Sequence, residues 1–199
     1  MRRKRSRQAK PWQLLLFLMT CIVLFVTTIG MLGPLLVDLA TTFRISVAQA
    51  GQLATITAFP WALTSLITGW LSDRYGRKPL LSISLLGIGT CSTLAALAPN
   101  FATLALLRIL TGMVGGAGPV ALMATVGDHF APVERGRAMG WVNAGFGIAT
   151  VAIIPLVGAI AGAWGWRWSF LTVGGMAFFL AGGAWWWLPA TASHLRPGR

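Results

Sequence analysis

Four charges fall within six positions of GWLSDRYGRKPLL, residues 69–81: Asp73, Arg74, Arg77 and Lys78. The surrounding chain is mostly apolar, with 56% hydrophobic and 10% charged residues among 199. Such a cluster can pair ions and cap helix ends. A further charge, Arg108, stands alone inside an apolar run. A cation near the middle of a membrane span costs about 2.5–3.5 kcal/mol on insertion scales, so Arg108 must face a polar cavity or be compensated by backbone carbonyls. Snorkelling is the competing account, over a long reach even for arginine. The four acids, Asp38, Asp73, Asp128 and Glu134, all lie at the boundaries of apolar runs. No carboxylate therefore sits deep in a span to carry a proton, unless Asp38 reaches inward. The sequence holds no P-loop, no HExxH motif and no cysteine or histidine cluster at metal-binding spacing. An enzyme, a metal site and a bound cofactor are thus not expected; His129 and His194 carry no motif.

The elements that must position these residues are set by hydropathy. A bilayer core of about 30 Å needs about 20 apolar residues per helix, and the stretches 12–36, 48–71, 79–98, 101–126, 137–162 and 167–188 meet that requirement. The expected fold class is all-α, a polytopic transmembrane bundle of six helices over 12–188, between a basic tail at 1–11 and a second tail at 189–199. The first run is too long for a signal peptide, and no small-residue cleavage pattern follows it. Nine of the ten tryptophans fall near predicted span ends, as an interfacial belt requires, and Trp61 is the exception. Cys21 and Cys91 lie within spans and read as small apolar packing residues.

A net charge of +12 raises the question of nucleic acid. Sorting the sixteen Lys and Arg by loop answers it, because thirteen fall on one face, Arg44 and Arg167 on the other, and Arg108 inside a span. That asymmetry is the positive-inside pattern, so nucleic acid is not an expected partner and both termini are expected in the cytoplasm. The partners expected are the lipid bilayer and a small-molecule solute.

Glycine supplies close packing where lipid offers no hydrophobic drive. Gly112 with Gly116 and Gly158 with Gly162 each place two small residues on one helix face. The 69–81 stretch then becomes the turn between spans two and three, with Gly69 for close approach, Gly76 for the reversal and Pro79 in the first turn of span three. Asp73 ends a helix where the dipole disfavours it. It either pairs with Arg77, caps span three, or has a partner elsewhere. Faint internal echoes suggest a three-plus-three inverted repeat. Gly69 and Gly76, then Lys78, match Gly158 and Gly165, then Arg167; Gly33-Pro34 matches Gly118-Pro119.

Gly69, Asp73, Arg74, Gly76, Arg77 and Lys78 resemble the loop signature between helices two and three of the major facilitator superfamily. Arg108 with Gly112 resembles its Arg-x-x-x-Gly motif in helix four, residues 128–140 resemble its loop between helices four and five, and GWRWSF at 165–170 its start of helix six. The resemblance covers the whole chain but only the first half of that architecture. It implies a cytoplasmic latch at 69–78 that stabilises an outward-facing state, and a coupling or cavity role for Arg108 and Gly112. Asp128, Glu134 and Arg135 are candidates for a cytoplasmic charge network with Arg77; a solvated loop is the alternative. Thr27, Thr28, Trp61 and Asn143 are candidates to line a central cavity, or else pack. Helix five departs from the drug-antiporter signature, with Ile154-Pro155 and Gly158-Ala159 in place of Gly-Pro and Gly-Gly.

The function expected is transport of a small solute across the plasma membrane by alternating access, in the manner of the efflux branch. A second six-helix half or a second copy would complete the assembly. The alternatives are a non-transporting interaction or regulatory protein, or an inactive truncated transporter.

Overall fold

The computed structural model describes residues 11–187, with the side chains of Pro11, Asp73 and residues 185–187 outside the described set. Every regular element among these residues is helical. Span one comprises α1 (Pro11–Gly30) and α2 (Leu32–Phe43), span two is α3 (Val47–Tyr75), and span three is α4 (Arg77–Ala96). Span four comprises α5 (Phe101–Gly115) and α6 (Ala117–His129). Span five joins α7 (Pro132–Ile148) to α8 (Ile154–Trp164) through a π-helical segment (Ala149–Ile153), and span six is α9 (Trp166–Trp187).

The helices outrun the expected spans. Span one continues to Phe43 rather than 36, and span five begins at Pro132 rather than 137. Hydropathy reports where the hydrocarbon ends, whereas capping chemistry ends the helix. Arg44 closes α2 in the left-handed region (φ 54°, ψ 46°), its N–H donating to the carbonyls of Ala40 and Thr41. Ser46 opens α3 with a reciprocal capping box to Gln49, Asn100 accepts from Thr103 N–H at 2.8 Å, and Pro132 occupies the first turn of α7.

Four continuous stretches are long and apolar enough to cross a membrane by length and composition: Trp12–Phe43, Arg77–Ala96, Phe101–His129 and Pro132–Trp164. At 29 and 22 residues α3 and α9 have the length but are less apolar, α3 through Gln49, Gln52 and its hydroxyl residues, α9 through Arg167 and its tryptophans. Both are held alongside apolar spans, α3 against α5 and α6, α9 against α4.

An inverted repeat is written into the backbone. The first helix of each three-span unit is broken at mid-length, at Met31 (φ −61°, ψ −20°) and at Gly116 (φ −60°, ψ −25°), each three residues before a proline, Pro34 or Pro119. The turn from second to third helix passes in each unit through a glycine of one conformation, Gly76 (φ 90°, ψ 160°) and Gly165 (φ 91°, ψ 156°). Each glycine N–H donates to the carbonyl four residues back, Ser72 at 3.0 Å and Ala161 at 2.7 Å. Packing follows the same exchange. Span two lies on span four as span five lies on span one, and span three lies on span six.

Glycine sets two of these contacts. A Cβ on Gly112 or Gly116 would run into the backbone carbonyl of Thr57 or Trp61, so span four lies directly on the backbone of span two. Gly158 faces Pro34, where a Cβ would come within 2.9 Å of the ring. Gly69 and Gly162 were expected to serve the same purpose, but nothing lies within 4 Å of a Cβ at either. Within this chain they face open space. The backbone of Gly165 occupies a region nearly closed to other residues, so Gly165→Ala should destabilise the fold by about 1–3 kcal/mol. Gly162→Ala, in the last turn of α8 and unobstructed, should stabilise it by about 0.4–1 kcal/mol. Unfolding of the purified chain in detergent checks both signs.

Candidate functional site

Three clusters carry the polar chemistry, one at each membrane face and one in the interior. On the basic face Gly76 ends α3 and leaves Arg77 as the first residue of α4. From there the guanidinium reaches two elements, with Nη1 donating to Ser72 Oγ at 2.6 Å and Nε to Asp128 Oδ2 at 3.2 Å. Asp128 is the penultimate residue of α6, so this pair ties the turn between spans two and three to the end of span four. Arg74 lies over the rings of Trp70 (5.4 Å) and Tyr75 (5.7 Å). Asp73, the remaining acid of this loop, has its side chain outside the described set.

The expected network of four charges resolves into one pair. Arg135 does not meet Asp128; its Nε donates to the carbonyl of Phe130 at 3.1 Å and closes the turn after α6. Glu134 sits exposed in the first turn of α7, where the helix dipole favours a carboxylate. These residues belong to a helix rather than a loop, because Pro132 starts α7 early.

Sequence reasoning missed the cluster on the opposite face. Trp166, the residue after Gly165, donates its indole N–H to Thr42 Oγ1 at 3.1 Å, and Thr42 is the penultimate residue of α2. Arg77 and Trp166 thus occupy equivalent places, each joining the turn of one repeat to the end of the first helix of the other. Arg167 completes this face, with Nη2 donating to the carbonyl of Ala98 at 3.1 Å and its guanidinium 4.6 Å over the Trp166 ring. The echo of Gly76 in Gly165 was the signal that could have found it.

Arg108 is fully buried at the centre of the bundle. Nη1 donates to the carbonyl of Thr28 at 3.1 Å, the guanidinium lies 5.1 Å over the ring of Phe170, and Nε and Nη2 have no protein partner. Of the two sequence-based expectations, carbonyl compensation is the one this geometry contains, together with a cation–π contact. The cation links span four to spans one and six. One turn on, Gly112 brings span four against span two.

The four candidate lining residues are not together. Thr27 and Thr28 are buried, Thr28 donating to the carbonyl of Leu24 at 2.8 Å, so neither borders open space as a cavity wall would. Trp61 is half-buried with its ring edge-on to Phe25 (centroids 6.1 Å apart), and Asn143 is exposed on α7. Among the described residues no group of three His, Cys, Asp or Glu is placed to hold a metal. Cys21 and Cys91 are free and buried.

A family model described as Major Facilitator Superfamily matches residues 16–198. The chain belongs to the Major Facilitator Superfamily. The tetracycline resistance protein, class B, of Escherichia coli is 32% identical over 137 residues, covering 67% of this chain and 34% of that protein. The hexuronate transporter of Bacillus subtilis is 30% identical over 169 residues, 84% of this chain and 39% of its own length. In the fold, a bacterial homolog of the human lysosomal transporter Spinster superposes with a TM-score of 0.79 at 21% identity, over 94% of this chain and 47% of that one. The chain thus spans about a third of the length of these curated relatives and about half of that structure. Membership makes it a multi-pass membrane protein of a transporter family.

The two turns predict different responses to salt. Arg77 and Asp128 are partly exposed (18% and 35% of their side chains), so Asp128→Asn should cost no more than about 1 kcal/mol at low salt, and the cost should vanish at about 1 M salt. Trp166→Phe removes an uncharged donor and should cost about 0.5–1.5 kcal/mol at any salt concentration. Denaturant unfolding of both variants at two ionic strengths measures the contrast.

Proposed function

We propose that the chain is the N-terminal six-helix half of a transporter that moves a small solute across the plasma membrane by alternating access. Both termini and the 69–78 loop lie on the cytoplasmic side in this reading. Span five carries it. Only 22% of its apolar window is buried within the chain, against 56–61% for the other three apolar spans, so one side of span five is left for a second six-helix unit. The greater length of the relatives supports the same conclusion.

In this reading the half moves as one body. Arg77 with Asp128 and Trp166 with Thr42 brace its two ends, and Arg108 braces its middle. The breaks at Met31 and Gly116 give spans one and four irregular backbone at mid-membrane, where transporters of this architecture place their solute. Asp73 is the latch residue toward the second unit, with Gly69 one turn earlier leaving room for that unit to approach. Asn143 and the exposed side of span five contribute to the solute path, and Trp61 borders it. Thr27 and Thr28 reach it only if span one rotates. Efflux of an amphiphilic solute is the direction supported by the resemblance to a tetracycline resistance protein.

The test is flux of tetracycline, and separately of a hexuronate, in proteoliposomes holding the 199-residue chain, with and without a pH gradient. Crosslinking sorts the preparations into one-unit and two-unit forms. Flux should require two six-helix units and should fall at least tenfold in Asp73→Asn and in Arg108→Ala. Flux by strict monomers would overturn the half-transporter reading. Two-unit preparations that bind neither solute and respond to neither substitution would overturn transport of these solute classes.

A further inference from the structure

Arg108 has more donors than its surroundings use. Nη1 donates to the Thr28 carbonyl at 3.1 Å, and Phe170 takes the flat face of the guanidinium, with Cζ 5.1 Å from the ring centroid. Nε and Nη2 are buried without a protein partner. These two nitrogens turn their N–H groups to one side of the guanidinium, the edge that receives two oxygens of one anion through parallel hydrogen bonds. The unused edge is therefore the one with the sharpest chemical preference.

The charge is unmatched as well. Asp38 and Asp128 stand toward the ends of α2 and α6 and Glu134 in the first turn of α7, and Arg77 already holds Asp128. The sequence puts the remaining acid, Asp73, at the end of span two. Cys91 is near enough to interact electrostatically with the guanidinium, but a thiol brings no charge. A buried cation without a counter-ion is costly, and a water on the free edge would supply an acceptor without a charge. Two further buried hydroxyls lack partners, those of Thr27 and Ser92, each the chain neighbour of a residue that interacts with Arg108.

The fold does not require this cation. Arg108 stands eight residues before the break at Gly116, and Val23 stands eight residues before the break at Met31. Phe170 follows Gly165 by five residues, as Leu81 follows Gly76. Val23 and Leu81 are buried, so the first unit fills these places with two aliphatic side chains. The second unit puts a cation and a ring there.

We infer that Arg108 is a binding site for a small organic monocarboxylate, whose two oxygens accept from Nε and Nη2. One guanidinium matches one negative charge, because Arg77 and Arg167 are engaged at the two faces of the bundle. Its fork is shaped for two coplanar oxygens rather than for a spherical halide. Span one covers the guanidinium at Thr28, three residues before its break at Met31, and tilting about that break uncovers the free edge. The site rests on this half alone and stands whether or not the chain moves a solute.

The test is thermal unfolding of the full chain in mild detergent, titrated with sodium acetate and separately with sodium chloride at the same ionic strength. Acetate should raise the midpoint of the wild type at concentrations about tenfold below those at which chloride acts. Arg108→Lys keeps the charge but loses the fork, and should remove the advantage of acetate. General effects of salt on stability survive that substitution, so an equal advantage in both proteins would overturn the site. Chloride acting as well as acetate on the wild type would leave a simple anion site and overturn the carboxylate assignment. No response to either salt would leave only water on the free edge and overturn it too. Where Arg108→Lys does not fold, as judged by helix content, the Nε resonance of Arg108 in the wild type, recognised by its slow exchange with solvent, gives the same reading. Acetate should shift it and chloride should not. Binding is read without flux, so failure of the transport reading leaves this result untouched.

Discussion

Every backbone carbonyl inside a bilayer needs a donor from within the protein, and Pro119 removes one. The carbonyl of Gly115 would accept from the N–H of residue 119, which proline lacks. Ser84 of span three supplies the replacement at 3.3 Å, and Ser65 of span two donates to the neighbouring Gly116 carbonyl at 3.0 Å. The break in span four is thus closed by the two spans packed against it. Ser65 can reach only because Gly112 and Gly116 admit span two to backbone contact, and Gly118 leaves the room that Ser84 occupies, since a Cβ there would come within 2.8 Å of its hydroxyl. Arg108 then draws the same helix toward the Thr28 carbonyl, so span four is anchored to its neighbours by backbone groups as well as by packing.

Inverted repetition extends this logic to the rest of the half. A broken first helix, a glycine turn of fixed conformation, and a side chain just past the turn that reaches the end of the other unit's first helix all occur twice. The chemistry of the reaching side chain differs between faces. Arginine and aspartate suit the face where Arg74, Lys78, Arg135 and Arg137 also lie, because they bring an acid into a crowd of like charges. Tryptophan and threonine suit the other face, where an indole sits well at the interface and no excess charge needs balancing. One architectural contact is therefore made twice with different groups.

Much of this was legible in the sequence because the bilayer imposes simple rules. Six apolar runs located six helices, and Gly76 with Gly165 and Gly33-Pro34 with Gly118-Pro119 pointed to structurally equivalent turns and breaks. That Arg108 must meet either a polar cavity or backbone carbonyls followed from its isolation, and the structure supplies the carbonyl of Thr28. Helix ends were less legible: α2 and α7 continue past the hydrocarbon, where hydropathy has no information and Ser46, Asn100 and Pro132 decide. Small residues were ambiguous for a related reason. Gly112 and Gly162 look alike in sequence, yet one lies under a backbone carbonyl and the other faces open space. Thr27 and Thr28 sit on a helix whose rotation no local signal fixes, and the structure turns them inward. The Trp166 contact with Thr42 spans 124 residues and required the repeat to be taken as geometry.

The account depends most on α3 and α9 crossing the membrane although they are less apolar than the other four spans. Thiol labelling of intact cells with a membrane-impermeant maleimide decides it, using single cysteines at Thr41, Lys78, Glu134, Ala163 and Ser193 with Cys21 and Cys91 replaced by alanine. Six crossings with a cytoplasmic basic face predict labelling at 41 and 163 from outside, and at 78, 134 and 193 only after permeabilisation. Labelling of 41 and 78 from one side, or of 163 and 193 from one side, would remove α3 or α9 from the membrane and contradict the inverted repeat.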